Sequence, residues 1–275
     1  MSFEPKPAQS PEGGRARFVI DPIADTGLIV LSMGFAAVLE FINSTGEIRP
    51  QQIASDFDRS QLLAIDRTSI TANPSKSAGS LSNLGLGVAV AFACIDPVLS
   101  GVREKSVQTG LVDGMIYAES LSITFGLTDM IKLAVRRPRP RAYIDAEAHQ
   151  GQNYSNASTD SALSFFSGHA SLTATVGATA TYLAFVRSPH TARPWITLAL
   201  ATGLTTFVSV ERVRAGKHFP TDVIAGAVAG AGIGIIVPHL HREEDVQQRR
   251  VWVGFAPTDG QAWARGGAFS LTGVF

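Results

Sequence analysis

Six apolar stretches, separated by polar segments, dominate the sequence and restrict the folds open to it. They span residues 28–42, 81–99, 111–135, 168–186, 195–210 and 223–237. The stretches are long, rich in Ala, Leu and Gly, and lack the strict alternation of half-buried strands, so they predict helices. A membrane-spanning helix needs about 20 mostly apolar residues, and several stretches lie near or below that length. The sequence therefore predicts an all-α, six-helix bundle embedded in a membrane, with a soluble helical bundle as the alternative.

The composition and charge balance exclude several other classes of protein. Charged residues make up 17% of the chain, whereas soluble domains average about 25%. The 23 basic and 23 acidic side chains cancel to a formal net charge of zero, which removes the main electrostatic argument for binding nucleic acid. The single cysteine excludes an intrachain disulfide framework and a cysteine metal cluster.

The segments outside the apolar stretches divide the chain into three regions. Residues 1–26 are polar and contain several Pro and Gly residues, which predicts a disordered leader without a cleaved signal peptide. The helical bundle is expected over residues 27–241, and a tail follows over residues 242–275. A turn sequence at residues 257–260 predicts a short hairpin in this tail, to which no function is assigned.

Two further local patterns predict structure around the bundle. In the sixth stretch Gly226, Gly230 and Gly234 recur at four-residue spacing, so they share one helix face that a neighbouring helix can approach closely. The polar segment between the first two stretches predicts a short amphipathic helix around residues 53–65.

Three polar clusters lie at the ends of the apolar stretches. If each stretch crosses the membrane once, the third ends, the fourth begins and the fifth ends at the same face, so the clusters meet there. The candidate site residues of the three clusters are Lys132 and Arg139, then Ser167, Gly168 and His169, and finally Arg212, His218 and Asp222.

The residue types in these clusters match the needs of a phosphate site. Lysine and arginine side chains supply fixed positive charge, and arginine forks fit phosphate oxygens. Ser167 and Gly168 precede a helix, whose free N–H groups favour an anion. His218 and Asp222 are four residues apart, so the carboxylate could orient the imidazole and leave its other nitrogen as a nucleophile. His169 remains as a general acid. Together these groups indicate phosphoryl transfer.

Each cluster taken alone also has a simpler interpretation. The basic run from Lys132 to Arg141 could be a flank that anchors a membrane helix. His218 and Asp222 could be metal ligands or a surface pair. The joint occurrence of the clusters on one predicted face favours the phosphate site. The neighbouring cations are interpreted as solvated charges rather than headgroup contacts; they are Arg136, Arg137, Arg141, Arg214 and Lys217.

The three clusters resemble the signature of the type 2 phosphatidic-acid phosphatase superfamily, which includes vanadium haloperoxidases. That signature is Lys-x6-Arg-Pro, then Pro-Ser-Gly-His, then Ser-Arg-x5-His-x3-Asp. Lys132 and Arg139 have the required spacing, as do Arg212, His218 and Asp222. The resemblance covers residues 81–238. The chain departs from the signature at two positions, where Phe166 replaces proline and Glu211 replaces serine.

The resemblance implies a reaction and a role for each site residue. His218 would attack phosphorus to form a phosphohistidine, with Asp222 orienting it, and His169 would protonate the leaving group. The phosphoryl oxygens would be bound by Lys132, Arg139, Ser167, Gly168 and Arg212. The implied substrate is a lipid phosphate or diphosphate, the surroundings are membrane lipids, and neither a metal nor another cofactor is required. The rival interpretations are a vanadium-dependent haloperoxidase and a non-catalytic membrane protein that retains the fold.

The orientation of the bundle follows only in part from the sequence. Six crossings place both termini on the face opposite the site. Lys132, Arg139 and Arg212 are set aside because they are expected to bind phosphate. The remaining basic residues are evenly divided between the two faces, so the positive-inside rule does not decide between them. The family resemblance favours a multi-pass protein of the cell membrane with cytoplasmic termini and a site facing the periplasm or exterior. No motif identifies the particular lipid.

Overall fold

The fold is an all-α bundle, seen in a computed structural model that describes residues 18–46, 53, 57–70, 73–148, 159–243, 251–258 and 266–273. Its helices are α1 (Pro22–Ser44), α2 (Ala64–Arg67), α3 (Lys76–Arg103), α4 (Val107–Val135), α5 (Pro140–Ala148), α6 (Gly168–Arg187), α7 (Arg193–Arg214) and α8 (Pro220–Leu240). Short 3-10 turns cover Arg59–Gln61, Thr68–Ile70 and Thr159–Ala162. In the tail, strands β1 (Val251–Thr258) and β2 (Gly266–Gly273) pair antiparallel, with Val251 opposite Gly273.

The predicted six-helix bundle is confirmed, because the six apolar stretches correspond to the long helices α1, α3, α4, α6, α7 and α8. Of the helices that the structure describes, α1, α3, α7 and α8 are long and apolar enough to cross a membrane. Large apolar side chains such as Leu31, Leu84 and Leu200 are exposed on them, as expected where lipid replaces water. The protein is therefore a helical membrane protein.

Helix α4 lies at the centre of the bundle and packs against α1, α3, α6 and α8. It begins where the Ser106 hydroxyl accepts a hydrogen bond from Thr109 N. It ends at Arg136, whose φ of 50° is left-handed, and Pro138 follows. This stop turns the chain back so that Arg139 lies near the end of α4.

Helix α1 begins within the region predicted as a leader. The Asp21 side chain accepts hydrogen bonds from Ile23 N and Ala24 N, and Pro22 occupies the first turn. This N-cap starts the helix ahead of the apolar stretch, so residues 22–26 are helical. Residues 1–17 lie outside the described part of the chain.

The glycine face of α8 packs directly on α6. Gly226, Gly230 and Gly234 lie against backbone atoms of Ser167, Ser171 and Thr175, and Thr175 Oγ1 donates a hydrogen bond to Gly230 O at 3.0 Å. This confirms the predicted close approach. The two helices begin beside each other, which brings the second and third polar clusters together.

The segment before α3 differs from its predicted helix. In place of one amphipathic helix over residues 53–65, its described residues form the turn Arg59–Gln61, the single-turn helix α2 and the turn Thr68–Ile70. Asp66 within α2 is completely buried, because it points at the start of α8 and bonds there. Tertiary contacts therefore override the local apolar periodicity.

Candidate functional site

One cavity of about 390 Å³ at an end of the bundle collects the predicted site residues. Those that line it are Lys132, Arg139, Gly168, His169, Arg212 and His218. The other two, Ser167 and Asp222, are completely buried behind them. The three clusters thus meet at one end of the bundle, as the parity of six crossings predicts.

Three of the predicted site residues that line the cavity are cations. Lys132 lies in the last turn of α4, with its Nζ 3.2 Å from Asp129 Oδ1. Arg139 and Arg212 are only 9% and 7% exposed. Gly168 faces the lysine, since a Cβ at this position would lie 3.4 Å from Lys132 Nζ. Cations held in a buried cavity attract an anion more strongly than cations in water.

The amino end of α6 adds backbone donors to the same cavity. Ser167 is the N-cap, and its hydroxyl accepts a hydrogen bond from Ala170 N at 3.4 Å. The Ser167 backbone N–H donates to Asp222 O at 3.1 Å, which ties α6 to the start of α8. The partial positive charge of a helix amino terminus favours an anion next to Gly168 and His169.

His218 is held with one ring nitrogen directed at the cavity. It is 2% exposed, and its Nδ1 lies 2.7 Å from Ser164 O. Because a carbonyl only accepts, Nδ1 carries the proton and Nε2 keeps its lone pair. Nε2 lies 3.5 Å from Arg212 Nη2. Burial, followed by the charges of Arg139 and Arg212, lowers the pKa of His218 well below its usual range, so the imidazole is neutral.

The structure does not form the expected direct bond between Asp222 and His218. Asp222 Oδ2 lies 3.9 Å from His218 Nδ1. The same oxygen accepts hydrogen bonds from Ser164 Oγ and from Phe219 N. Since Nδ1 has a single proton and donates it to Ser164 O, the carboxylate orients the imidazole indirectly. It holds the serine and the first turn of α8, and these hold the ring.

Arg137 is part of a buried ion-pair network and is not the solvated charge expected from the sequence. Its Nη1 lies 2.6 Å from Asp222 Oδ1, and its Nη2 lies 2.8 Å from Asp66 Oδ2. The guanidinium also lies 4.0 Å above the Phe219 ring. Asp66 in turn accepts from Thr221 N at 3.1 Å. The network fixes the start of α8, which carries Asp222.

The other flanking cations differ among themselves. Lys217 lines the cavity, so it lies closer to the site than a solvated flank would. Arg214 is exposed and pairs with Glu211 at 2.7 Å, in agreement with the sequence interpretation. Glu211, at the position where the family signature has serine, therefore pairs with Arg214, which does not line the cavity.

Sequence reasoning missed a second wall of the cavity, formed by polar residues of α1, α3 and α4. Asn83 Oδ1 lies 2.8 Å from His169 Nε2, and Glu40, Asn43 and Asp129 also line the cavity. The available signal was weak: these are single polar residues within or beside apolar stretches. Asn83 of α3 thus contacts the ring of His169 on α6.

A comparison of the sequence with known families agrees with the resemblance that the motifs indicate. Residues 113–245 match the PAP2 superfamily, which is the type 2 phosphatidic-acid phosphatase superfamily that the motifs resemble. This region contains all eight predicted site residues, so the resemblance that the motifs indicate is confirmed. No curated protein matches the chain significantly. The PAP2 region runs from within α4 to just beyond α8, and α1 and α3 lie outside it.

A solved structure of similar fold is a transmembrane PAP2-type phosphatidylglycerolphosphate phosphatase from Bacillus subtilis. Its identity to this chain is 18% and its TM-score is 0.49, over 82% of this chain and 98% of that one.

Proposed function

We propose that the protein is a membrane-embedded phosphatase that hydrolyses a lipid phosphate or diphosphate through a phosphohistidine. The observation that carries the proposal is His218 Nε2, which faces a cavity lined by Lys132, Arg139 and Arg212, while Nδ1 is tied to a carbonyl. The match to the PAP2 superfamily supports this assignment at the level of the family.

The proposed reaction has two steps. In the first, His169 is protonated, a form that the negative charge of the bound phosphate favours. The Nε2 lone pair of His218 attacks phosphorus, the bond from phosphorus to the leaving oxygen breaks, and His169 gives that oxygen its proton. In the second, His169 takes a proton from water, the water oxygen attacks the phosphohistidine, and the bond from phosphorus to Nε2 breaks. Free phosphate leaves, and both histidines return to their starting states.

Charge stabilisation in both steps falls to the protein. Lys132, Arg139 and Arg212, with the Ser167 hydroxyl and the Gly168 backbone N–H, would bind the three oxygens that carry the transition-state charge. These fixed groups supply the positive charge that a metal ion supplies in other phosphatases. We therefore propose that the reaction requires neither a metal nor another cofactor.

The position of the cavity favours a lipid substrate. The cavity lies at an end of the bundle, beside apolar helices whose surfaces are exposed, which is the level at which a headgroup meets its acyl chains. Within this proposal, the helical bundle of residues 27–241 carries the activity, no role is assigned to residues 1–26 and 242–275, and the partners are the lipid phosphate substrate and the surrounding membrane lipids.

The proposed orientation places the protein in the cell membrane with both termini in the cytoplasm and the site facing the periplasm or exterior. A reporter phosphatase that works only outside the cytoplasm, fused after Phe275, should remain silent. An active fusion contradicts the orientation and leaves the chemistry untouched.

The test of the function is phosphate release by purified protein in detergent, with a chelator present. The substrates are phosphatidate, phosphatidylglycerol phosphate, undecaprenyl diphosphate and phosphorylated lipid A. His218→Ala should abolish turnover, and rapid acid-free quenching with labelled substrate should show labelled wild-type protein only. His169→Ala should slow turnover by about 10²–10⁴-fold. The matched control, His190→Ala, changes an exposed loop histidine. Full activity in His218→Ala contradicts the mechanism.

A further inference from the structure

A second cluster of ionisable side chains lies at the other end of α8, away from the phosphate cavity. Asp25 comes from the first turn of α1, Glu119 from α4, and His241 directly follows α8. One ligand atom from each lies within 4.8 Å of the others. His241 Nε2 is 3.4 Å from Asp25 Oδ2 and 3.2 Å from Glu119 Oε2.

Glu119 makes this cluster more than a surface ion pair. The residue is 5% exposed, and its Oε2 accepts no hydrogen bond despite the nearby imidazole. A buried carboxylate oxygen without a hydrogen bond is costly. The oxygen is directed at the space between the three residues, so a cation placed there would satisfy it.

His241 is oriented as a metal-binding histidine is. Its Nδ1 lies 2.8 Å from Val237 O, so Nδ1 carries a proton and Nε2 is free to coordinate. Ligating histidines generally donate their other N–H to a carbonyl or carboxylate, which fixes the ring. The Asp25 carboxylate is likewise held, since its Oδ2 accepts from Asp21 N at 2.8 Å.

The distances between the ligand atoms also fit a metal centre. Zinc binds histidine nitrogen and carboxylate oxygen at about 2.0–2.1 Å in a tetrahedron, whose edge is then about 3.3 Å. The two measured separations from His241 Nε2, 3.2 and 3.4 Å, lie on either side of that edge. We propose that Asp25, Glu119 and His241 bind a divalent zinc-like ion, with water in the fourth position.

Such an ion would serve the fold and not the phosphate chemistry. Helix α1 packs mainly on α4 among the described helices, and the ion would strengthen the existing link between its first turn and His241 at the end of α8. The rival state is a histidinium between two carboxylates: burial lowers the pKa of His241, but the Glu119 and Asp25 carboxylates and the Val237 carbonyl together raise it to about 9. Zinc would have to displace that proton.

The experiment titrates Zn²⁺ into chelator-stripped, full-length protein in detergent, by calorimetry and by metal analysis after desalting. We expect one tightly bound Zn²⁺ per chain and a higher unfolding temperature, with Mg²⁺ much weaker. Glu119→Gln and His241→Gln should each weaken Zn²⁺ binding at least tenfold. The control His190→Gln changes an exposed histidine and should bind as the wild type does.

The outcome separates this site from the proposed phosphatase site. His218→Ala should lose turnover and keep its Zn²⁺. If the wild-type protein binds no Zn²⁺, or if Glu119→Gln and His241→Gln fold and bind it normally, the proposal is overturned and the cluster is a histidinium ion pair only. That result would not contradict the proposed phosphatase activity, because Zn²⁺ binding by the wild-type protein is measured without any turnover.

Discussion

Replacing Gly230 by alanine tests how strictly the α6–α8 contact sets the site. An added Cβ would lie 2.0 Å from Ser171 O, whereas ordinary contacts begin at 3.4 Å. The two backbones must therefore separate by about 1.4 Å, the difference between these distances. No rotamer change can relieve a contact with backbone. Overpacking of this kind costs about 1–3 kcal/mol and occasionally more.

The same displacement should reach the phosphate site. Ser171 lies one turn beyond Ser167, Gly168 and His169 on α6, so pushing it away from α8 moves the amino terminus of α6 as well. It also strains the hydrogen bond from Thr175 Oγ1 to Gly230 O. A misplacement of about 1 Å at catalytic groups can cost about 10²-fold in rate. We expect kcat/KM to fall by about that factor.

Gly232→Ala is the matched control on the same helix, because a Cβ there meets nothing within 4 Å. Helix propensity predicts that this control is stabilised by up to about 1 kcal/mol. The assays are thermal unfolding in detergent and phosphate release with a lipid phosphate. If Gly230→Ala unfolds at the same temperature as Gly232→Ala and is equally active, the packing argument is refuted.

Three further predictions concern the polar network. Because the pKa of His218 is lowered, chiefly by burial, Nε2 stays unprotonated as the pH falls through 6.5. The value of kcat/KM, corrected for titration of the substrate, should therefore hold there. A fall of kcat/KM towards acid pH with an enzyme pKa above 6.5 contradicts this. Asn83→Ala should lower kcat about tenfold or more through loss of one hydrogen bond to His169. Asn83→Asp keeps an acceptor and should lower kcat less. Equal losses of kcat in the two variants contradict a positioning role. Arg137→Ala leaves two buried carboxylates without their cation and should lower the free energy of unfolding by about 3–5 kcal/mol. The control Arg141→Ala, at an exposed position, should change this free energy little. Equal effects of the two variants contradict the network.

Much of the architecture could be predicted from local pattern. The apolar stretches predict the six long helices because burying a continuous apolar segment in lipid or in a bundle core requires its backbone to bond within itself. The spacing of the three motifs, together with the parity of crossings, predicts that their polar residues meet at one face. The structure places Lys132, Arg139, His169, Arg212 and His218 in one cavity there. Helix ends were less predictable, since caps such as Asp21 lie outside the apolar periodicity.

Tertiary structure alone decided how the reactive groups are held. Asp66 and Thr221 are 155 residues apart in sequence, and Asn83 and His169 are 86 apart, so no local spacing reveals either contact. The partner of His218 Nδ1 is likewise the Ser164 carbonyl, although Asp222 has the helical spacing that predicts a direct bond. Side-chain spacing shows which groups share a helix face. A buried N–H such as that of His218 donates to one acceptor, however, and packing between distant segments determines which acceptor lies within reach.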